Sequence, residues 1–136
     1  MNTTNAGDGP KVLVIDDDAE LLETAAQLLA QRGFRVVTHS ESYNRLNAVR
    51  VHRPDLVLMD VNMPFVPGDE IVKLLRDDPD LAEIPVLLFS SNDERSLRLT
   101  AREVGAAGYV SKSQMGWQFA ALVERQLLAY RAARQR

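Results

Sequence analysis

Five polar side chains of this chain stand directly after short strand-like runs, and together they suit the chemistry of a phosphoryl group. The runs 12–15, 56–59, 86–89 and 108–111 are followed by Asp16 and Asp17, by Asp60, by Ser90 and by Lys112. Three carboxylates can hold a divalent cation, while a hydroxyl and an ammonium can contact phosphoryl oxygens. A carboxylate can also attack phosphorus and form an aspartyl phosphate. We therefore predict one pocket for a metal ion and a phosphoryl group, with Asp60 as the group that is phosphorylated.

The elements that must position these residues alternate along the chain between strands and helices. Short apolar runs predict strands at 12–15, 34–38, 56–59, 85–89 and 107–111. Apolar stripes at helical spacing, with capping and stop residues, predict helices at 19–31, 42–52, around 71–75, at 93–104 and at 116–134. Five such units argue for an α/β fold with a parallel sheet covered by helices on both faces. Ligands of such sheets bind beyond the carboxyl ends of the strands, which is where the five polar side chains stand.

The length, composition and charge of the chain limit the classes of protein to which it can belong. At 136 residues, of which 46% are apolar, it fits one domain with a proper core. Its net charge of −3 gives no basic footprint for nucleic acid, and the lack of cysteine excludes a disulfide framework and a cysteine-based zinc site. No apolar run reaches the length of a membrane span, and the first residues are no signal peptide. We expect a cytoplasmic protein with a disordered leader over residues 1–10, one domain over 11–132 and a basic tail over 133–136.

The acidic residues point to Mg²⁺, with Mn²⁺ as an alternative, because these ions prefer oxygen ligands. Asp16 and Asp17 can supply one direct and one water-mediated contact, Asp60 another, and the backbone carbonyl of Asn62 a fourth. The competing interpretation is that Asp16, Asp17 and Asp18 form only a strand-to-helix turn with a cap. A third acid at the end of another strand favours the metal site.

Three further positions have both a structural and a functional interpretation. Ser90 can be a loop start or a hydrogen-bond donor to the transferred group, and Lys112 a solvated strand end or its neutralising charge. Tyr109 lies three residues before Lys112. It can be a packing residue at the sheet edge, or a side chain that swings inward when Ser90 is pulled toward a phosphoryl group.

These motifs resemble the receiver domain of two-component response regulators, in the CheY-like superfamily. The resemblance extends from about Lys11 to Tyr130. It rests on four segments that occur in the family's order with appropriate gaps: the strand at 12–15 with Asp16 to Asp18, residues 56–64 with Gly68, residues 84–91, and residues 105–112.

The resemblance implies a flavodoxin-like, doubly wound (βα)5 fold with strand order 2-1-3-4-5. It implies that Asp60 takes a phosphoryl group from a phosphohistidine on a histidine kinase or a phosphotransfer protein. Asp16, Asp17 and the carbonyl of Asn62 would then bind Mg²⁺, and Lys112 would contact the phosphoryl group. Ser90 and Tyr109 would form a relay that reshapes the face of the fourth helix, fifth strand and fifth helix, where a downstream protein effector docks.

Two features of the sequence qualify this likeness. The family usually has proline after the lysine, often with a cis bond, but Ser113 follows Lys112 here. The loop that carries Lys112 is therefore expected to be arranged differently. In this family the positions of Asn62 and Asn92 tune how water reaches the acyl phosphate, and neither amide is a strong acid or base. We predict a signal that is neither extremely short-lived nor locked.

The leading hypothesis is a stand-alone receiver that switches protein–protein interactions, without turnover beyond its own phosphotransfer and autodephosphorylation. We expect a monomer or weak dimer that binds neither nucleic acid nor membranes. One alternative is a Mg²⁺-dependent phosphohydrolase with an aspartyl-phosphate intermediate. Such enzymes commonly carry a second acid two residues after the nucleophile, where this chain has Asn62. Another alternative is a degenerate receiver that acts as a scaffold.

Overall fold

The computed structural model describes residues 3–5 and 8–135, which form one sheet flanked by helices. The strands are β1 (Thr3–Asn5), β2 (Lys11–Ile15), β3 (Arg35–His39), β4 (Leu56–Asp60), β5 (Val86–Ser90) and β6 (Gly108–Ser111). The helices are α1 (Ala19–Gln31), α2 (Arg45–His52), α3 (Gly68–Asp77), α4 (Glu94–Val104) and α5 (Phe119–Arg134), and a short 3₁₀ turn covers Lys112–Gln114. None of the described helices is long and apolar enough to cross a membrane.

The sheet has the order β1-β3-β2-β4-β5-β6. Strands β2 to β6 are parallel to one another, and when these five are counted along the chain they stand in the order 2-1-3-4-5. The predicted flavodoxin-like α/β fold is therefore confirmed. Strands β2, β4 and β5 are almost wholly apolar because a central parallel strand is buried on both faces.

Two apolar clusters form the core, one on each face of the sheet. Side chains of α1 and α5 pack on one face, with Leu29 and Phe119 fully buried. Side chains of α2, α3 and α4 cover the other face, with Val49, Val72 and Leu97 buried. Burial of these faces is the main force that fixes strand order and register, since a slip of one residue would reverse which side chains face which layer.

The structure differs from the sequence prediction at both ends. Thr3–Asn5 were expected in a disordered leader, but their backbone pairs antiparallel with β3 as a sixth strand. The open edge of β3 offers unpaired backbone groups, which an adjoining segment can satisfy. The predicted leader residues 1, 2, 6 and 7 lie outside the described residues. Of the predicted basic tail, Arg134 belongs to α5 and bonds Glu83, and residue 136 lies outside the described part.

The second helix also begins later than its apolar pattern predicted. The sequence indicated a start at 42, but α2 starts at Arg45. Asn44, directly before it, has a left-handed backbone with φ of 63°, which no helix can contain. Residues 42–44 therefore form a turn at the carboxyl edge of the sheet, close to the predicted site.

Candidate phosphoacceptor site

The sheet register brings the five predicted side chains to one edge. Ile15 is level with Met59, Asp60 with Phe89, and Ser90 with Ser111, so β2, β4, β5 and β6 end together. The residues at or just beyond these ends are those that the sequence singled out. The convergence follows from the parallel topology, because strands that run the same way present their carboxyl ends to one side.

Three carboxylates meet at this edge. Oxygen atoms of Asp16, Asp17 and Asp60 all lie within 4.8 Å of one another. Asp16 is fully buried and Asp60 is 2% exposed, whereas Asp17 faces solvent. Because like charges held this closely repel, the cluster needs a cation, and an all-oxygen set with one solvent-facing member suits Mg²⁺ and its retained waters. These residues can therefore hold a divalent metal ion.

Lys112 is the cation that the protein itself places in the cluster. Its Nζ lies 2.7 Å from Asp16 Oδ2 and 3.3 Å from Asp60 Oδ1. The side chain also lies over the Phe89 ring, with Nζ 5.4 Å from the ring centroid. Burial alone lowers the pKa of Lys112, but the hydrogen bond and charge of Asp16, together with Asp60, raise it above its usual value. The ammonium is thus held charged beside the predicted phosphoacceptor.

Burial and its neighbours shift the pKa of Asp16 upward. Burial raises the pKa of its carboxyl, and the negative charge of Asp60 acts in the same direction. Lys112 and the backbone N–H of Asp18, which donates to Asp16 Oδ1 at 2.9 Å, lower this pKa only in part. A second positive charge at this edge would therefore stabilise the ionised carboxylate, which is further reason to expect a metal ion here.

The Asp60 carboxylate is held in place through one of its two oxygen atoms. Its Oδ1 accepts a hydrogen bond from the backbone N–H of Asn62 at 3.1 Å and faces Lys112. No hydrogen bond to Oδ2 comes from the described residues. A carboxylate fixed through one oxygen presents the other as a nucleophile of defined direction.

Ser90 and the two predicted tuning residues form one polar network. The Oγ of Ser90 accepts hydrogen bonds from Asn62 Nδ2 and from the backbone N–H of Asn92, both at 3.0 Å. Asn62 Nδ2 also donates to Asn92 Oδ1 at 3.1 Å. Since Ser90 Oγ accepts twice, its own hydrogen remains free to be donated to an incoming oxygen. The network spans the gap between β4 and β5 next to Asp60.

Tyr109 lies beside this cluster rather than in it. Its ring packs against the core under α4, and its hydroxyl donates to Glu94 Oε1 at 3.0 Å. Its backbone carbonyl accepts a hydrogen bond from Gln126 of α5 at 2.8 Å. Tyr109 therefore joins β6 to both neighbouring helices, while its proposed inward movement stays a prediction.

The loop after Lys112 forms a tight turn at Ser113. The Lys112–Ser113 peptide is trans, and the chain continues directly into the 3₁₀ turn. Ser111 caps this turn, because its Oγ accepts from the N–H of Ser113 at 3.2 Å and lies 2.8 Å from the Ser113 hydroxyl. Ser113 thus stabilises the turn that follows the lysine.

Two residues shape the site through contacts that the sequence did not indicate. Gly68 lies so close to Asp60 that an added Cβ would stand 2.0 Å from the Asp60 carbonyl oxygen. Arg45 is 2% exposed and bonds the loop after Asp60. Gly68 is a loop breaker and part of the motif that resembles the receiver family, neither of which indicates a close contact with Asp60. An arginine near the start of a polar helix is normally solvated.

Comparison with known proteins decides the family. The profile of the response regulator receiver domain matches residues 12–124, most of the chain. This chain belongs to the response regulator receiver family. The receiver is 34% identical over 104 residues to the polar-differentiation response regulator DivK of Brucella anthropi, covering 76% of this chain and 85% of DivK. It is also 34% identical over 122 residues to the protein RcaC of Microchaete diplosiphon. That match covers 90% of this chain but only 19% of RcaC.

Solved structures show the same fold. The chemotaxis response regulator CheY4 of Vibrio cholerae superposes with a TM-score of 0.78 at 24% identity, covering 88% of this receiver and 99% of that chain. A response regulator described as putative, from Chloroflexus aurantiacus, gives a TM-score of 0.80 at 24% identity, covering 90% and 99%. These structures show the shared fold, while the receiver profile and the match to DivK confirm the two-component signalling class that the motifs indicated.

Proposed function

We propose that this receiver accepts a phosphoryl group on Asp60 in a Mg²⁺-dependent reaction, and that the modification switches its binding to other proteins. The proposal rests on the surroundings of Asp60. Its Oδ1 is held by contacts, its Oδ2 accepts no hydrogen bond from the described residues, and two further acids and a charged lysine lie beside it. The match to the response regulator DivK supports a role as a response regulator.

The phosphoryl donor would be a phosphohistidine of a histidine kinase or phosphotransfer protein. In the transfer, Asp60 Oδ2 forms a bond to phosphorus, and the bond from phosphorus to the imidazole nitrogen breaks, with its electron pair returning to the nitrogen. Lys112 neutralises charge on the transferred oxygens, and the Ser90 hydroxyl donates to one of them. Hydrolysis by water would later release phosphate and restore the Asp60 carboxylate.

Mg²⁺ would be held by Asp16, Asp17, Asp60 and the backbone carbonyl of Asn62. The bound ion would supply positive charge to the phosphoryl oxygens, as divalent ions do in phosphoryl transfer. The protein's own contribution is to hold the acids close together before the ion binds and to bury Asp16, which cannot turn away to solvent. Lys112, which contacts both Asp16 and Asp60, would contact the phosphoryl group.

Two surfaces would serve the partners. The phosphodonor would dock over the carboxyl edge, where Phe65 and Trp117 stand 94% and 90% exposed on the loops that follow Asp60 and Lys112. Exposed large aromatic side chains are a common mark of protein interfaces. The downstream effector would dock on the α4-β6-α5 face, since the contacts of Tyr109 with Glu94 and Gln126 link both helices of that face to the strand that ends at the site.

Intact mass after incubation with Mg²⁺ and acetyl phosphate tests the proposal. The parent chain should gain one phosphoryl group, and the Asp60→Asn variant and a sample with EDTA should gain none. Absence of modification under every condition would leave the scaffold interpretation. Steady release of phosphate from a small ester would instead support the phosphohydrolase, although the Asn62 amide, bonded to Ser90 and Asn92, is no acid.

A further inference from the structure

Arg45 is a buried arginine whose partners are unusual. It is the first residue of α2 and 2% exposed. Its Nε donates to the backbone carbonyl of Ser42 at 2.6 Å, and its Nη2 donates to the backbone carbonyl of Val66 at 2.5 Å. Its Nη1 is buried with no partner among the described residues. A buried guanidinium without a carboxylate partner costs stability, so its presence here calls for a role beyond packing.

Val66 lies in the loop that connects Asp60 to α3. The loop folds back on itself, because the N–H of Val66 donates to the carbonyl of Pro64 and the N–H of Gly68 to that of Val61, both at 3.0 Å. Phe65 at its tip has a left-handed backbone with φ of 72°, which is strained for an aromatic residue. In the described part of the chain, Arg45 is the only side chain that hydrogen-bonds the backbone of residues 63–67.

Packing anchors only the start of this loop, where Val61 and Met63 are buried in the core. Phe65 is almost fully exposed and Val66 is 40% exposed, so the tip has few apolar contacts. Both ends of the loop nevertheless have to be placed accurately. Asn62, at its start, orients Asp60 and carries the carbonyl proposed to bind Mg²⁺, and Gly68, at its end, lies against the Asp60 carbonyl.

We propose that Arg45 is a positioning residue for phosphoryl transfer: its guanidinium joins the start of α2 to the Val66 carbonyl and so holds the loop that aligns Asp60 and Asn62. The inference rests on the proposed function. The planar fork of arginine is suited to two carbonyl acceptors at once, and lysine, a single point charge, cannot reproduce it. Burial lowers the pKa of Arg45 and the charge of Asp60 raises it in part, which places the guanidinium within the electrostatic influence of the phosphoacceptor.

The test compares Arg45→Met and Arg45→Lys with Arg76→Met. Arg76 is a matched control, because it also donates to two backbone carbonyls, those of Ala82 and Ile84, and also has a buried nitrogen without a partner in the described chain. It stands on α3 and links that helix to the segment before β5, away from the carboxyl edge. Two readouts apply: the initial rate of phosphorylation by acetyl phosphate with saturating Mg²⁺, and amide hydrogen exchange at Val66 and Gly68.

We expect Arg45→Met and Arg45→Lys to slow phosphorylation roughly tenfold to a hundredfold, as misplacement of a reacting group does, and to speed exchange at both amides. Arg76→Met should lower the urea midpoint but phosphorylate at the parent's rate. If Arg45→Met fails to fold, Arg45→Lys carries the same expectation.

Three results would overturn the inference. A parent-like rate in Arg45→Met would remove the role, full recovery in Arg45→Lys would show that charge alone matters, and an equal loss in Arg76→Met would show a general effect of stability. If the parent itself is not phosphorylated, the proposed function fails and the exchange data alone test the role of Arg45. Faster exchange at Val66 and Gly68 only in the Arg45 variants would show that Arg45 holds the loop. Unchanged exchange would refute that role.

Discussion

Replacing Gly68 with alanine should damage the phosphoacceptor site by adding a single methyl group. The ideal Cβ at position 68 would stand 2.0 Å from the Asp60 carbonyl oxygen and 2.9 Å from both the Asp60 carbonyl carbon and Met59 Cγ. Ordinary van der Waals contact begins at about 3.4 Å, so α3 and the end of β4 would have to separate by roughly 1.4 Å at this point. The flexible Met59 side chain can move, but the Asp60 backbone is part of the sheet.

Both stability and phosphoryl transfer should respond. Overpacking of this kind costs about 1–3 kcal/mol of the free energy of unfolding. A displacement of about 1 Å at a reacting group can cost about a hundredfold in rate, and here the displaced residue is the proposed nucleophile. Gly68→Ala should therefore lower the urea midpoint and slow phosphorylation by acetyl phosphate far more than its stability loss explains, since the folded fraction remains near unity.

Gly116→Ala is the matched control, because it makes the same chemical change in the other loop beside the site. Nothing lies within 4 Å of an added Cβ at Gly116. The control should phosphorylate at the parent's rate, with the free energy of unfolding unchanged or raised by about 0.4–1 kcal/mol through the less flexible unfolded chain. A Gly68→Ala variant with the parent's urea midpoint and rate would refute the argument from close packing at Asp60.

Three further outcomes follow from the contacts of single residues. Lys112→Met should slow phosphorylation by acetyl phosphate roughly a hundredfold. It should also tighten Mg²⁺ binding measured by calorimetry, because the variant lacks the ammonium group that competes with Mg²⁺ for the carboxylates. Weaker Mg²⁺ binding would contradict this prediction. The phosphorylated parent should lose its added mass with a half-life longer than a second and shorter than many hours. Asn62→Ala should shorten this half-life, because the substitution opens the hydrogen-bond network beside Asp60 to water. An unchanged half-life in the variant would show that the network does not control the access of water. The N–H of Asp80 and then the guanidinium of Arg50 hold the pKa of Asp78 below its usual 3.8. The folded-state pKa is thus depressed, so the gap in urea midpoint between the parent and Asp78→Asn should be full at pH 7. It should close only as the pH falls below 3.8 and through the depressed pKa; a gap that persists at still lower pH would show that charge is not its cause.

The fold was predictable because its signals are local and repeated. Buried parallel strands such as Val86–Ser90 appear as continuous apolar runs, and turn residues separate them from helices with an apolar stripe. The site was predictable from the same pattern, since polar residues at strand ends must meet once the sheet is parallel. The positions of Asp16, Asp60, Ser90 and Lys112 therefore needed only the order of elements.

What the sequence did not reveal depends on contacts between distant segments. Arg45 is buried because the left-handed backbone of Asn44 makes α2 begin at residue 45, which places the Arg45 side chain against the loop after Asp60. Strand β1 forms because the edge of β3 is open, a consequence of strand order and not of the composition of Thr3–Asn5. The tight approach of Gly68 to Asp60 likewise appears only when α3 packs on β4. Such effects leave no periodicity in the chain.

The measurement that most directly tests the central claim is the position of the phosphoryl group. The chain would be incubated with Mg²⁺ and acetyl phosphate, reduced with borohydride, which converts an aspartyl phosphate into homoserine, and digested for tandem mass spectrometry. We expect homoserine at position 60 alone, and none in a sample without Mg²⁺. Reduction at Asp16 or Asp17, or an unmodified Asp60 in a chain that has gained a phosphoryl group elsewhere, would contradict it.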